Sequence, residues 1–82
     1  MHDAVFQSKD LGFVTTLLAL DHPLKTILWK DNIAYFLFPN RATCEELQQR
    51  YDLGQLSVDA RTYYDTLRGI KRRLYAGERS RG

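Results

Sequence analysis

The chain has a single cysteine, Cys44, among its 82 residues. One thiol cannot form an internal disulfide and cannot supply a multi-thiolate metal site. No stretch approaches the roughly 20 consecutive apolar residues that a bilayer-spanning helix requires, and the first residues lack the basic start and apolar run of a secretory signal. These absences exclude a disulfide scaffold and predict a cytoplasmic protein with no membrane partner.

Residues that usually carry catalysis are also scarce. The two histidines are His2, near the start of the chain, and His22, in a predicted loop. A nucleophilic Cys44 would require a nearby base and a lowered pKa, yet it shares a predicted helical stripe with Leu47 and Tyr51, which favours a small buried side chain. No phosphate-binding loop, dinucleotide-binding glycine pattern, EF-hand or zinc spacing occurs. We therefore expect no enzyme activity, catalytic residue, metal, cofactor or small-molecule substrate.

The composition is typical of one small globular domain. The hydrophobic fraction of 44% and the charged fraction of 27% are ordinary for folded proteins, so disorder of the whole chain is not expected. The length allows a single core, and neither an internal repeat nor a long linker divides it. We predict one domain over residues 1–82, with an ordered core over about 5–76 and a mobile basic tail over 77–82.

Charge is distributed unevenly along the chain, although the net charge is only +2. Residues 1–60 hold five basic and eight acidic side chains, a net charge of −3. Residues 61–82 hold seven basic and two acidic side chains, a net charge of +5. A segregated basic end favours an anionic partner.

A β-hairpin is predicted in the first half of the chain, after a short possible strand at residues 5–7. Residues 24–30 and 33–38 are rich in β-branched and aromatic types, and Asp31-Asn32 lies between them. Because Asp and Asn tolerate positive φ, a two-residue turn is expected. This turn pairs the residues on either side of it and thereby sets the register of the whole hairpin.

Both faces of that hairpin are apolar. The register places Leu28 opposite Tyr35 on one face, while Trp29 and Phe36 lie on the other. An antiparallel sheet with one solvated face would instead alternate apolar and polar residues. Either helices cover both faces or one face is kept for a partner. With three helices available, we expect both to be covered.

The first predicted helix begins after Ser8 or Asp10, since either side chain can cap it. Pro23 is expected to end it by biasing the preceding residue away from helical dihedrals. Gly12 in its first turns costs up to ~1 kcal/mol relative to alanine. Its presence is explained either by a frayed helix end or by close packing against a strand.

The second predicted helix follows Asn40, a candidate cap, and closes at Leu53-Gly54, where glycine can adopt the left-handed conformation. Ser57 is a candidate cap for the third helix, which we expect over residues 58–76. This last helix carries an apolar stripe at steps of three and four, typical of a core-facing surface. The stripe consists of Ala60, Tyr63, Leu67, Ile70 and Leu74.

Candidate nucleic-acid-binding residues are the cations that lie mostly off this stripe, since each can neutralise a phosphate. They are Arg61, Arg68, Lys71, Arg72, Arg73 and Arg79. The alternative explanation is that helix C-termini attract Lys and Arg through the macrodipole. Candidates for base stacking or for a protein interface are Trp29, Phe36, Tyr64 and Tyr75. The alternative for these aromatics is core packing.

Several short motifs occur together within residues 5–76. They are Ser8-Lys9-Asp10-Leu11, His22-Pro23-Leu24, Tyr35-Phe36-Leu37-Phe38, and Val58-Asp59-Ala60-Arg61 leading through Tyr64 and Leu67 to Lys71-Arg72-Arg73-Leu74-Tyr75. In combination they resemble a family of small uncharacterised domains from bacteriophages and other mobile genetic elements. The resemblance implies such an origin but supplies no catalytic residues and no settled activity. It favours work on DNA or on a host protein without choosing between them.

The patterns together predict an α+β domain of order β-α-β-β-α-α, with an antiparallel sheet and a long C-terminal helix packed against it. The leading hypothesis is an accessory nucleic-acid-binding protein that contacts phosphates through the basic face of the last helix. The alternative is a non-enzymatic protein-interaction or inhibitor module. Such a module would bind a host protein, or a second copy of itself, through the apolar sheet and the Tyr/Arg helix surface.

Overall fold

The computed structural model describes the backbone of residues 4–81 and the side chains of residues 4–76. Its elements follow the predicted α+β order, which is thereby confirmed. They are β1 (Phe6–Ser8), α1 (Leu11–Ala19), β2 (Thr26–Lys30), β3 (Ile33–Phe38), α2 (Arg41–Asp52) and α3 (Ala60–Arg81).

The three strands form one antiparallel sheet in the order β1-β3-β2, so β3 is central. The predicted hairpin register is confirmed: β2 and β3 pair from Lys30 with Ile33 to Thr26 with Leu37. Asp31 and Asn32 have φ values of 53° and 65°. Two consecutive left-handed residues are typical of the type I′ turn, whose twist matches that of the flanking strands.

The first turn of α1 is held by Asp10, which was one of the two candidate caps. Its Oδ1 accepts hydrogen bonds from the backbone N–H groups of Gly12 at 3.1 Å and Phe13 at 3.3 Å. Gly12 was explained either by a frayed helix end or by close packing against a strand. It is closely packed, but the neighbouring element is α2 and not a strand. A Cβ placed on Gly12 would lie 2.6 Å from the Tyr51 hydroxyl oxygen.

The end of α1 is set by Asp21 and not by Pro23, so that prediction is wrong. Asp21 adopts a left-handed conformation with φ of 68°. Its N–H donates to the Leu18 carbonyl and the His22 N–H to the Leu17 carbonyl, both at 3.0 Å. This pair of bonds is a Schellman motif, which satisfies the last carbonyls of the helix before the proline is reached.

α2 begins after Asn40 and ends at Leu53-Gly54 as predicted, but the Asn40 side chain does not cap it. Gly54 has φ of 70°, and the N–H groups of Gly54 and Gln55 donate to the carbonyls of Tyr51 and Arg50 at 3.0 and 2.8 Å. This is a second Schellman motif. Asn40 occupies the N-cap position, but its side chain makes no capping hydrogen bond. The reason is its left-handed backbone, since a capping side chain normally stands on extended dihedrals.

α3 is capped by Asp59 and not by Ser57. Asp59 Oδ2 accepts hydrogen bonds from the Thr62 backbone N–H at 3.0 Å and from the Thr62 hydroxyl at 3.1 Å. These hydrogen bonds favour the ionised carboxylate and hold the pKa of Asp59 below its usual value.

The far end of α3 extends beyond residue 76, where the sequence predicts its end, and reaches Arg81. The side chains from residue 77 onward lie outside the described residues. The mobility expected for residues 77–82 therefore stays a prediction.

The core lies between one face of the sheet and the helices, with α1 at its centre. α3 packs mainly against α1 and not broadly against the sheet, so the predicted packing of the last helix against the sheet is corrected. Thr15 and Thr16 are also buried, and their hydroxyls donate to backbone carbonyls one turn earlier, at 2.7 and 2.9 Å. The buried apolar residues are Phe13, Val14, Leu17, Phe36, Phe38, Cys44 and Ile70.

The opposite face of the sheet is open, so the prediction that helices cover both faces is wrong. Leu28 is 47% exposed and Ile33 is 40% exposed, and Tyr35 and Leu37 beside them are only half-buried. The reason is that α1 itself is apolar on most of its surface. Burying it requires α3 on its outer side, so α3 is not available to cover the second face of the sheet.

Candidate nucleic-acid interface

The cations of α3 do not share one face. Successive residues of an α-helix are rotated by roughly 100°, and Ile70 marks the direction of the core because it is buried. Arg73 lies roughly 160° from Lys71 around the helix axis, on the opposite side of the core stripe. The prediction of one basic face is therefore corrected to a basic flank without Arg73. We use the term "α3 flank" for Arg61, Tyr64, Arg68, Lys71, Arg72 and Tyr75.

Every residue of the α3 flank is exposed. Tyr64 lies between Arg61 and Arg68 along the helix, and Tyr75 follows Arg72. Their side chains are 58% and 63% exposed. The Arg68 guanidinium lies over the Tyr64 ring, 5.7 Å from its centroid. Such a cation–π contact orients the guanidinium while it stays accessible to solvent.

None of the α3 cations is neutralised by a carboxylate within the described part of the chain. The ion pairs found there both lie in α2, between Arg41 and Glu45 at 2.9 Å and between Arg50 and Glu46 at 3.2 Å. Asp65 is the only acidic residue among the described side chains of α3, and it forms no ion pair there. The α3 flank is consequently available to an anionic group.

A groove opens beside this flank, between α3, the start of α1 and the inner face of the hairpin. Its volume is about 340 Å³, which is within the range of small-ligand pockets. Lys71 and Tyr75 stand one turn apart on its α3 side, and Trp29 lies on the hairpin side. Its lining consists of Leu11, Trp29, Ala34, Lys71, Leu74 and Tyr75.

The structure separates the two hairpin aromatics that were candidates for stacking. Phe36 is only 2% exposed, since it stands on the central strand between Ser8 and Ile27. It cannot stack a base, and for Phe36 the alternative of core packing is correct. Trp29, by contrast, is half-buried and lines the groove. Arg79 lies outside the described side chains.

Three apolar residues that line the groove, Leu11, Ala34 and Leu74, were not predicted as site residues. Ala34 is the cross-strand partner of Trp29, and its small side chain leaves space beside the indole. Leu74 extends the core stripe of α3 to the groove, and Leu11 begins α1. The useful signal was the Trp29–Ala34 pairing in the predicted register, because a large residue opposite a small one leaves a concave surface.

Cys44 and His22, which were weighed as catalytic residues, lie apart from the groove lining, and His2 lies outside the described residues. Cys44 is 2% exposed, as predicted, and burial raises the pKa of its thiol above the ordinary value. The thiol faces the Pro39 carbonyl at 3.8 Å. His22 is half-buried at the end of α1.

Among residues 4–76 no group of three or more His, Cys, Asp or Glu side chains is arranged to hold a metal ion. Within the described chain, no helix combines the length and the apolar character needed to cross a membrane. Comparison of the chain with protein-family models, with curated proteins and with solved structures found no match. The resemblance to phage and mobile-element domains therefore stays a prediction.

Proposed function

We propose that the protein is a small accessory nucleic-acid-binding protein of a phage or mobile element, acting in the cytoplasm through the α3 flank. The observation that carries this proposal is the exposed row of cations from Arg61 to Arg72, flanked by Tyr64 and Tyr75 and without ion-pair partners among the described residues. At 1.5 Å per residue this row is roughly 16 Å long. Successive phosphates of one duplex strand are about 3.4 Å apart when measured along the duplex axis, so this length corresponds to roughly five steps along that axis.

The distribution of the cations along α3 argues against a purely structural explanation. The helix macrodipole favours Lys and Arg only in the last turn and disfavours them in the first. Arg61 is the second residue of α3, and Arg68 is near its middle. The macrodipole therefore accounts for neither of them, and both lie on the same flank as Lys71 and Arg72.

A salt titration with charge-matched variants tests the proposal. Binding of a fluorescently labelled oligonucleotide is measured by anisotropy from low to moderate salt. The flank variant is Arg61→Gln/Arg68→Gln/Arg72→Gln, and the control is Lys25→Gln/Lys30→Gln/Arg73→Gln. Each variant removes three positive charges, and every replaced residue is exposed.

We expect wild-type affinity to fall steeply with salt. The magnitude of the slope of log affinity against log salt should decrease by roughly 2 to 3 in the flank variant, because each lost phosphate contact contributes about 0.7 to 0.9. The control should keep most of the wild-type slope. Absence of binding at low salt, binding that does not depend on salt, or equal losses in both variants would contradict the proposal.

A second candidate function is supported by the open face of the sheet. Leu28 and Ile33 are exposed there, with Tyr35 and Leu37 beside them, and exposed contiguous apolar surface is typical of interaction sites. The corresponding function is a protein-interaction or inhibitor module that binds a host protein or a second copy of the chain. If the chain self-associates through this face, light scattering should give a dimer, and Leu28→Thr/Ile33→Thr should give a monomer. A wild-type monomer at high concentration would exclude self-association.

A further inference from the structure

We propose that the groove between α3 and the hairpin receives an unpaired base of a single-stranded nucleic acid. The base stacks against Trp29 and Tyr75, and Lys71 contacts the adjoining phosphate. This inference rests on the proposed function, because the α3 flank must hold the strand whose base enters the groove. It adds to the proposed function a preference for single-stranded nucleic acid and a stacking role for Trp29 and Tyr75.

The chemistry of the groove matches a group that combines a flat uncharged ring with a nearby anion. Lys71 is the only charged residue of its lining, and two aromatic residues come from different elements, Trp29 from β2 and Tyr75 from α3. Aromatic side chains stack on any base because every base has a π-face. An ammonium group on the rim supplies the charge complementarity for the phosphate that every nucleotide carries.

The position of the groove extends the α3 flank. Lys71 belongs to both surfaces, since it lines the groove and lies one turn beyond Arg68 on the flank. A strand that follows the cations from Arg61 towards Tyr75 therefore passes the opening of the groove. Backbone contacts along α3 position the strand, and the groove accommodates one of its bases.

A paired base cannot use this groove. In a duplex the faces of each base are covered by its stacked neighbours, and only its edges are accessible. Trp29 is half-buried at the hairpin side of the groove, so a partner must insert a group to reach it. An unpaired base can be rotated out of the strand at low cost, whereas a base in a duplex must first be unstacked. The groove thus discriminates in favour of single strands.

Trp29 provides a direct readout because it is the only tryptophan of the chain. Intrinsic fluorescence is recorded while the full chain is titrated with a thymidine oligonucleotide, with an oligonucleotide of the same length made of abasic sites, and with a duplex. Anisotropy of labelled versions of the three ligands reports binding itself. The abasic strand keeps the phosphates of the single strand and lacks its bases.

We expect all three ligands to bind at low salt and only the thymidine oligonucleotide to quench Trp29. Tyr75→Ala should weaken binding of that oligonucleotide by roughly five- to 150-fold, the range found for loss of one stacked base. Duplex binding should fall less than binding of the thymidine oligonucleotide, because a paired base does not enter the groove. The matched control is Tyr64→Ala, since Tyr64 is similarly exposed on the same flank but does not line the groove; its effect should be smaller.

The outcomes distinguish this inference from the proposed function. Salt-dependent binding of all three ligands without quenching, or equal losses in Tyr75→Ala and Tyr64→Ala, would overturn the groove assignment and leave phosphate binding by α3 standing. If none of the three ligands binds at low salt, both the groove assignment and the proposed function are overturned. Circular dichroism of each variant establishes that a lost affinity does not reflect a lost fold.

Discussion

Alanine replacements at three glycines separate steric contact, backbone conformation and helix propensity in this fold. A Cβ on Gly12 would lie 2.6 Å from Tyr51 Oη, whereas a Cβ on Gly54 or Gly69 meets no heavy atom within 4 Å. Gly54 differs from Gly69 in its φ of +70°, while Gly69 lies inside α3. Replacement by alanine therefore tests a close contact at Gly12, a left-handed backbone at Gly54 and helix propensity at Gly69.

The expected free-energy changes have different signs. Gly69→Ala should stabilise the protein by up to about 1 kcal/mol, since alanine has the higher helix propensity. Gly54→Ala should destabilise it by roughly 1 kcal/mol, because a Cβ is strained in the left-handed conformation. Gly12→Ala combines a propensity gain with an overpacking cost of roughly 1 to 3 kcal/mol. The net effect at Gly12 should be destabilising, since the Tyr51 ring packs 5.2 Å from Phe13 and cannot move away freely.

Urea unfolding followed by circular dichroism measures the free energy of unfolding of each variant. The steric explanation is isolated by repeating Gly12→Ala in a Tyr51→Phe background, which removes the hydroxyl. The nearest remaining atoms are then Asp10 Oδ1 at 3.5 Å and the Cζ carbon of residue 51 at 3.8 Å, both ordinary contacts. Gly12→Ala should become neutral or stabilising in that background. An equal loss in both backgrounds would refute the reasoning.

Three further predictions concern single side chains. Hydrogen bonds from Thr62 lower the pKa of Asp59 in the folded protein. The stabilising effect of its carboxylate is therefore present above the unfolded pKa of about 3.9 and is lost as pH falls through the folded pKa. Asp59→Asn should therefore flatten the acid limb of a thermal-unfolding profile, and an unchanged limb would contradict this. Buried Cys44 should resist iodoacetamide in the native protein and react after unfolding; rapid native labelling would contradict its burial. Asp21→Gly, at φ of 68°, should raise the free energy of unfolding by up to about 1 kcal/mol, whereas destabilisation would show that the side chain of Asp21 contributes to the end of α1.

Local sequence patterns determined the order of the elements and the hairpin in detail. Asp31-Asn32 between two β-rich runs was sufficient for the turn and for every pair of β2 with β3, because a two-residue turn leaves one register. Helix ends were less predictable. Asp10 and Gly54 were identified by residue type, whereas Asp21 and Asp59 were missed because Pro23 and Ser57 are equally typical of such positions.

Tertiary packing decided how the elements are arranged and what they leave exposed. The sequence shows that both faces of the hairpin are apolar, but only the packing of α3 on α1 leaves Leu28 and Ile33 uncovered. The helical period places the α3 cations around the axis, yet the core direction at Ile70 was needed to put Arg73 on the other side. The groove could not be predicted, because Trp29 and Tyr75 are far apart in the chain and no periodicity relates a strand to a distant helix. The local sequence determined which faces of each helix and strand are apolar or charged. The packing of the elements against one another determined which of those faces are buried and which stay exposed to a partner.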